Sequence, residues 1–117
     1  MTSTVTSYNS NKSVVKFSDW ILDMITHELR SASGDEVVLT SYEFQLLSAL
    51  VKSPNRVLSR DQIMGHITGR DWMPSDRSVD VLIGKLRKKI EEDPKKPLLI
   101  KTMRGAGYKF TARISYR

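Results

Sequence analysis

The sequence predicts a single α+β domain: an N-terminal antiparallel β-sheet, three helices and a C-terminal β-hairpin. Three observations carry this expectation. Short β-favouring runs fill residues 14 to 39, three capped helical patterns follow between 40 and 92, and two more strand-like runs flank a glycine turn near residue 105. A chain of 117 residues suits one domain and can bury roughly 65% of its unfolded surface, so a core can form by packing alone. Without cysteine, the chain has no disulfide framework, thiolate metal site or cysteine nucleophile.

Residues 1 to 13, rich in Ser, Thr and Asn, read as a flexible leader or linker remnant, and the folded domain is expected over 14 to 117. Val14–Phe17, Trp20–Leu22 and Val37–Leu39 are the apolar runs of the first sheet, separated by polar turns such as Ser31 to Asp35. Thr40-Ser41-Tyr42-Glu43 is a capping box, so a helix starts there. Its apolar stripe uses Phe44, Leu47, Leu50 and Val51, and Pro54 stops it. Ser59-Arg60-Asp61-Gln62 repeats the capping pattern and opens a second helix through Ile63, Met64 and Ile67, expected to end near Gly69.

The longest helical pattern runs from Arg77 to about Glu92, with Ser75 or Asp76 as its cap and Pro94 and Pro97 beyond it. Residues 98 to 103 and 108 to 114 then form strands across Arg104-Gly105-Ala106-Gly107, where glycine accepts the positive φ of a tight turn. At 100° per residue, Val79, Ile83, Leu86 and Ile90 fall on one side of the third helix and face the core. The other side presents Arg77, Val81, Gly84, Lys85 and Lys88, with Arg87 and Lys89 on its flanks.

The net charge of +6 is unevenly placed: residues 1 to 76 sum to −2 and residues 77 to 117 to +8. A local excess of that size points to a polyanion, with nucleic acid ahead of an anionic membrane surface. A helix whose exposed side is narrow and cationic can enter the major groove, where Val81 or Gly84 permits close approach to bases. The hairpin adds Lys101, Arg104 and Lys109, and an Arg at a tip suits phosphate or the minor groove.

Leu39-Thr40 with Glu43-Phe44, Leu58-Ser59-Arg60, Arg77-Ser78-Val79-Asp80-Val81, Leu86-Arg87 and Lys89, Ile100-Lys101-Thr102, and Arg104-Gly105 with Gly107-Tyr108 follow one another in a specific order. This succession closely resembles the DNA-binding effector domain of OmpR/PhoB-type response regulators, over about residues 14 to 114. The resemblance implies a winged helix-turn-helix with a four-stranded N-terminal sheet, a major-groove recognition helix at 77 to 92 and a wing at 98 to 114. It implies that Val81 and Lys85 meet bases and Arg87 a phosphate, with Ser78, Lys88 and Lys89 on the same helix. Thr102, Arg104 and Tyr108 would bring the wing to the DNA. The loop before the helix, with Arg70, Asp71, Trp72 and Met73, corresponds to a polymerase-contact segment. Leu82 and Gly84 depart from the polar or basic residues many relatives carry there. The resemblance further implies direct-repeat sites, a second protomer on DNA, a weakly binding isolated monomer, and a phosphoacceptor domain upstream. The Ser/Thr/Asn leader fits an excised output domain; a stand-alone regulator or a protein-interaction module built around Trp72, Met73 and Pro74 is the alternative.

Catalysis is not expected. His27 and His66 are isolated, Asp35-Glu36 and Glu91-Glu92-Asp93 read as turn and helix-end residues, and Gly105-Ala106-Gly107 is too short for a dinucleotide loop. No cofactor or metal is expected. With no apolar run approaching the ~20 residues that cross a bilayer, the expectation is a cytoplasmic protein with no membrane partner.

Overall fold

The computed structural model describes residues 13–116, so the leader lies almost wholly outside the described residues. Two compact units are present. One holds the start and end of the chain, and the other runs from Thr40 to Ala112.

The first unit is an antiparallel sheet of β1 (Val14–Phe17), β2 (Trp20–Asp23), β3 (Glu28–Ser31), β4 (Glu36–Val37) and β8 (Ile114–Tyr116), in the order β4-β3-β2-β1-β8. Tyr116, Val15, Leu22, Leu29 and Val37 form one row across all five strands. Val15, Leu22 and Leu29 in that row are buried, the period-two pattern expected of a sheet with one covered face. The sheet thus has five strands where four are implied by sequence. The strand expected over Val37–Leu39 stops at Val37, and Val38 is exposed.

In the second unit, α1 (Ser41–Lys52) begins at the Thr40 capping box, α2 (Arg60–Gly65) at the Ser59 box, and α3 (Asp76–Ile90) at a Ser75 cap closed by Ser78. The α2 helix ends earlier than expected because the Gln45 amide takes both backbone groups of Thr68, accepting from its N–H at 2.8 Å and donating to its carbonyl at 2.9 Å. Ile67 is still buried beyond the helix. Leu46, Leu47 and Leu50 from α1, Ile63 from α2 and Val79, Ile83 and Leu86 from α3 make the core, joined by Ile100 and Phe110.

A small second sheet of β5 (Val57–Leu58), β7 (Gly107–Phe110) and β6 (Ile100–Met103) forms the hairpin and ties it to the turn between α1 and α2. The two-residue β5 is too short to announce itself in sequence. The expected strand over 108 to 114 is instead broken: β7 ends at Phe110 and β8 pairs with β1. The physical reason is Glu91, the residue capping α3. Its buried carboxylate accepts from the N–H groups of Leu98, Leu99 and Ile100 at 2.8–3.0 Å, so although the Leu99 carbonyl still accepts from the Thr111 N–H at 2.8 Å, the Leu99 N–H is not left to return a bond and the ladder stops there. Gly107, at φ 139°, lies so close to β5 that a Cβ there would collide with the Leu58 carbonyl oxygen.

Among the described residues no helix is long and apolar enough to cross a membrane, and no group of His, Cys, Asp and Glu is arranged to hold a metal ion.

Candidate nucleic-acid interface

The register of α3 decides which side chains are available. Val79, Ile83, Leu86 and Ile90 are buried as the periodicity requires, and Leu82 joins them in the core. Leu82 is only 6% exposed, so in departing from a polar residue it adds no more than a small apolar patch to the outer face. Arg77, Val81, Lys85 and Lys88 are exposed, Val81 by 47%, and Gly84 is half-buried with nothing within 4 Å of the place a Cβ would occupy. A cationic strip with a low centre results. Last-turn Arg87, Lys88 and Lys89 also oppose the negative end of the helix dipole.

Several residues grouped with this face by sequence are committed elsewhere. Lys89 forms an ion pair with Glu43 of α1, a carboxylate that is almost completely buried. Burial opposes the charge of Glu43, but the Lys89 ammonium and the Thr40 amide outweigh it and hold its carboxyl below the usual range. Lys89 is thus a bolt between α3 and α1. Ser78 serves the helix cap: its hydroxyl accepts from the Ser75 N–H at 2.9 Å and stands 2.8 Å from the Met73 carbonyl and 2.9 Å from that of Ser75.

Tyr108 is 5% exposed, too buried for the outward contact expected of it. Its hydroxyl donates to Asp80 of α3, and the same carboxylate receives Arg60 of α2 in a two-pronged pair. Arg60 holds the Asp80 carboxyl below its ordinary value, with help from the Tyr108 hydroxyl and against burial. Burial first, then the nearby Asp80, raises the Tyr108 phenol and keeps it a proton donor. The Tyr108 ring lies within cation–π reach of two guanidinium groups, Arg60 at 5.8 Å and Arg87 at 5.5 Å.

Arg87 points along α3 toward the hairpin. It donates to the Ile100 carbonyl at 2.6 and 3.2 Å and to the Thr102 hydroxyl at 2.9 Å. A fork of donors used in this way fixes the angle between helix and β6. Thr102 remains exposed beside it, and Arg104 stands free of the core at the hairpin tip next to Gly105, whose φ is 76°.

The loop before α3 divides. Trp72 is half-buried against the Tyr42 ring, centroids 5.5 Å apart, while Arg70 and Asp71 are exposed. The Tyr42 hydroxyl accepts from the Asp71 N–H at 3.2 Å. Met73 is 78% exposed and lies beside α3, where Met73, Arg77, Val81, Leu82 and Lys85 line a shallow groove of about 330 Å³. The two histidines have structural places: His27 adopts a positive φ in the β2–β3 turn and His66 caps α2.

Sequence reasoning missed the Arg60–Asp80–Tyr108 cluster and the Glu91 cradle, since their members lie up to 48 residues apart and no local spacing links them. The sequence hints are an Asp among cationic neighbours on a basic helix face and the place of Arg60, Asp80 and Tyr108 in the ordered motifs.

Comparison with known proteins agrees with this geometry. A family model described as "Transcriptional regulatory protein, C terminal" matches residues 34–110. The transcriptional regulatory protein AruR of Pseudomonas aeruginosa is 51% identical over 100 residues, which are 86% of this chain and 41% of AruR. The chain therefore spans about two fifths of that relative. The RstA DNA-binding domain of Klebsiella pneumoniae, solved in complex with the RstA box, superposes with a TM-score of 0.73 at 31% identity, covering 84% of this chain and 96% of that one. The response regulator DrrB of Thermotoga maritima, an OmpR/PhoB homologue, gives 0.75 at 31% identity over 90% of this chain and 47% of its own. With its sheet, three helices and helix-linked hairpin, this chain belongs to the C-terminal, winged-helix family of OmpR/PhoB-type transcriptional regulatory proteins.

Proposed function

We propose that the domain binds double-stranded DNA sequence-specifically to regulate transcription in the cytoplasm, as the output domain of a two-component response regulator. The observation that supports this most is a single arrangement: a cationic helix face lowered at Val81 and Gly84, with an Arg-tipped hairpin locked to the same helix through Arg87 and Tyr108. In this reading α3 lies in the major groove, Val81 and Lys85 face base edges, and Gly84 allows the backbone to come close. Arg77 and Lys88 neutralise phosphates, while Thr102 and Arg104 reach the backbone or minor groove. Arg87 and Tyr108 act as positioning residues, and Lys89 stays with Glu43.

The exposed Arg70 and Asp71, beside Trp72, are the groups the loop offers to RNA polymerase. Two copies would occupy direct repeats, and one alone would bind a half-site weakly. Its role is binding rather than catalysis, with Arg77, Lys85 and Lys88 presenting fixed cations around the apolar Val81 on one helix face.

Selection from a random duplex pool, followed by anisotropy titration at several salt concentrations, tests the reading. A defined half-site should emerge, with affinity falling steeply as salt rises, and Arg104→Ala should reduce the log–log salt slope by about 1. Flat titrations in dilute buffer would overturn it.

A further inference from the structure

Met73, at the end of its loop, is exposed and borders α3. The Ser78 hydroxyl lies 2.8 Å from the Met73 carbonyl, close enough to donate to it, so the end of the loop is fastened to the first turn of α3. Met73 lines a groove with Val81 and Leu82, with Arg77 and Lys85 one turn either side of Val81 and the Ser75 and Ser78 of the helix cap at one end. The sequence groups Met73 with a polymerase-contact segment; in the structure it also borders the groove along α3.

An apolar floor between two cations eight residues apart on one helix row is demanding of its occupant. An apolar peptide segment would strip water from both charges and give nothing in return. Duplex DNA carries phosphates on both sides of its major groove, and the one apolar group on its base edges there is the thymine 5-methyl. We infer that this groove receives a thymine methyl, with Met73 a specificity-determining residue beside Val81. The flexible thioether can adapt to a methyl approaching from several angles. The inference rests on the DNA-binding reading and adds to it which base is read and which loop residue reads it.

The test uses the 117-residue chain and its selected duplex, prepared with thymine or with deoxyuridine at each thymine position. Each contacted methyl should contribute about fourfold in affinity, from ~0.8 kcal/mol per buried carbon. Met73→Ala should weaken the thymine duplex by a similar factor, leave the deoxyuridine duplex near the wild-type value, and melt at the wild-type temperature because the side chain is exposed. Met73→Leu should retain the discrimination. Equal loss on both duplexes, no loss on either, or a selected site without thymine would overturn the inference while salt-dependent binding still upheld the domain's DNA binding. Normal binding by Met73→Ala, with a defect only in transcription by polymerase, would also overturn it and assign the side chain to that protein. Absence of salt-dependent binding to any duplex would remove both readings together.

Discussion

Arg60 and Asp80 meet in a two-pronged ion pair, 2.8 Å from Nε to Oδ1 and 3.2 Å from Nη2 to Oδ2, which joins the first residue of α2 to α3. The Tyr108 hydroxyl from β7 donates to the same carboxylate, so three elements share one negative charge. Both ion-pair side chains are more than a third exposed, and such pairs contribute little to stability by Coulomb attraction alone. Their effect is angular: they set how the hairpin stands against α3.

Tyr108→Phe keeps the packed ring and removes only the hydroxyl. It should lower stability by ~1 kcal/mol, the net value of one hydrogen bond to a partly solvated charge. A shifted urea midpoint with an unchanged slope would show this; an unchanged midpoint would mean that Arg60 alone holds Asp80.

Glu91→Ala should be costlier, by ~2 to 4 kcal/mol, because it orphans the N–H groups of Leu98, Leu99 and Ile100 together. Those three amides should then exchange with solvent faster than those of residues 101 to 103 in β6. Slow exchange there would show another acceptor taking over.

Acid should destabilise the fold through Glu43 and Asp80. Both carboxyls sit below their ordinary values of 4.5 and 3.8, so folding favours their charged forms. The stabilisation is complete above those ordinary values and is lost as the pH falls through the lower folded values. Melting temperature should therefore hold from pH 7 to about 5 and drop below that. Glu43→Gln should melt lower at neutral pH and show a shallower acid decline; an unaltered decline would place the acid sensitivity elsewhere.

Lys85 and Lys89, one turn apart, should give opposite phenotypes. Lys85→Ala should weaken binding to the selected site by ~1 to 3 kcal/mol, barely affect random duplex and leave stability alone. Lys89→Ala should lower stability, because it leaves the buried Glu43 carboxylate without its ammonium partner. Equal affinity losses for Lys85→Ala on both duplexes would make Lys85 a phosphate contact.

What the sequence made legible was whatever local chemistry encodes. The capping residues Thr40, Ser59 and Ser75 mark their helices, and the 3.6-residue period assigns Val79, Ile83, Leu86 and Ile90 to the core. Long-range partners were not legible. Tyr108 and Lys89 look like surface residues in the chain, and only folding brings Asp80 to one and Glu43 to the other. The end of β7 was misjudged for the same reason, since Glu91 had taken the neighbouring amides. Met73 belonged to its loop by position but to α3 by the Ser78 contact.

The glycine at the base of the hairpin sets a boundary on variation. Because a Cβ there would run into the Leu58 carbonyl, no side chain can be accommodated at 107 without prising β7 from the turn between α1 and α2. Residues 104 to 106 have no such neighbour and stand in solvent. Anyone re-engineering the domain can vary the fingertip at 104 and 106, provided the glycine at 105 keeps its positive φ and the knuckle stays as it is.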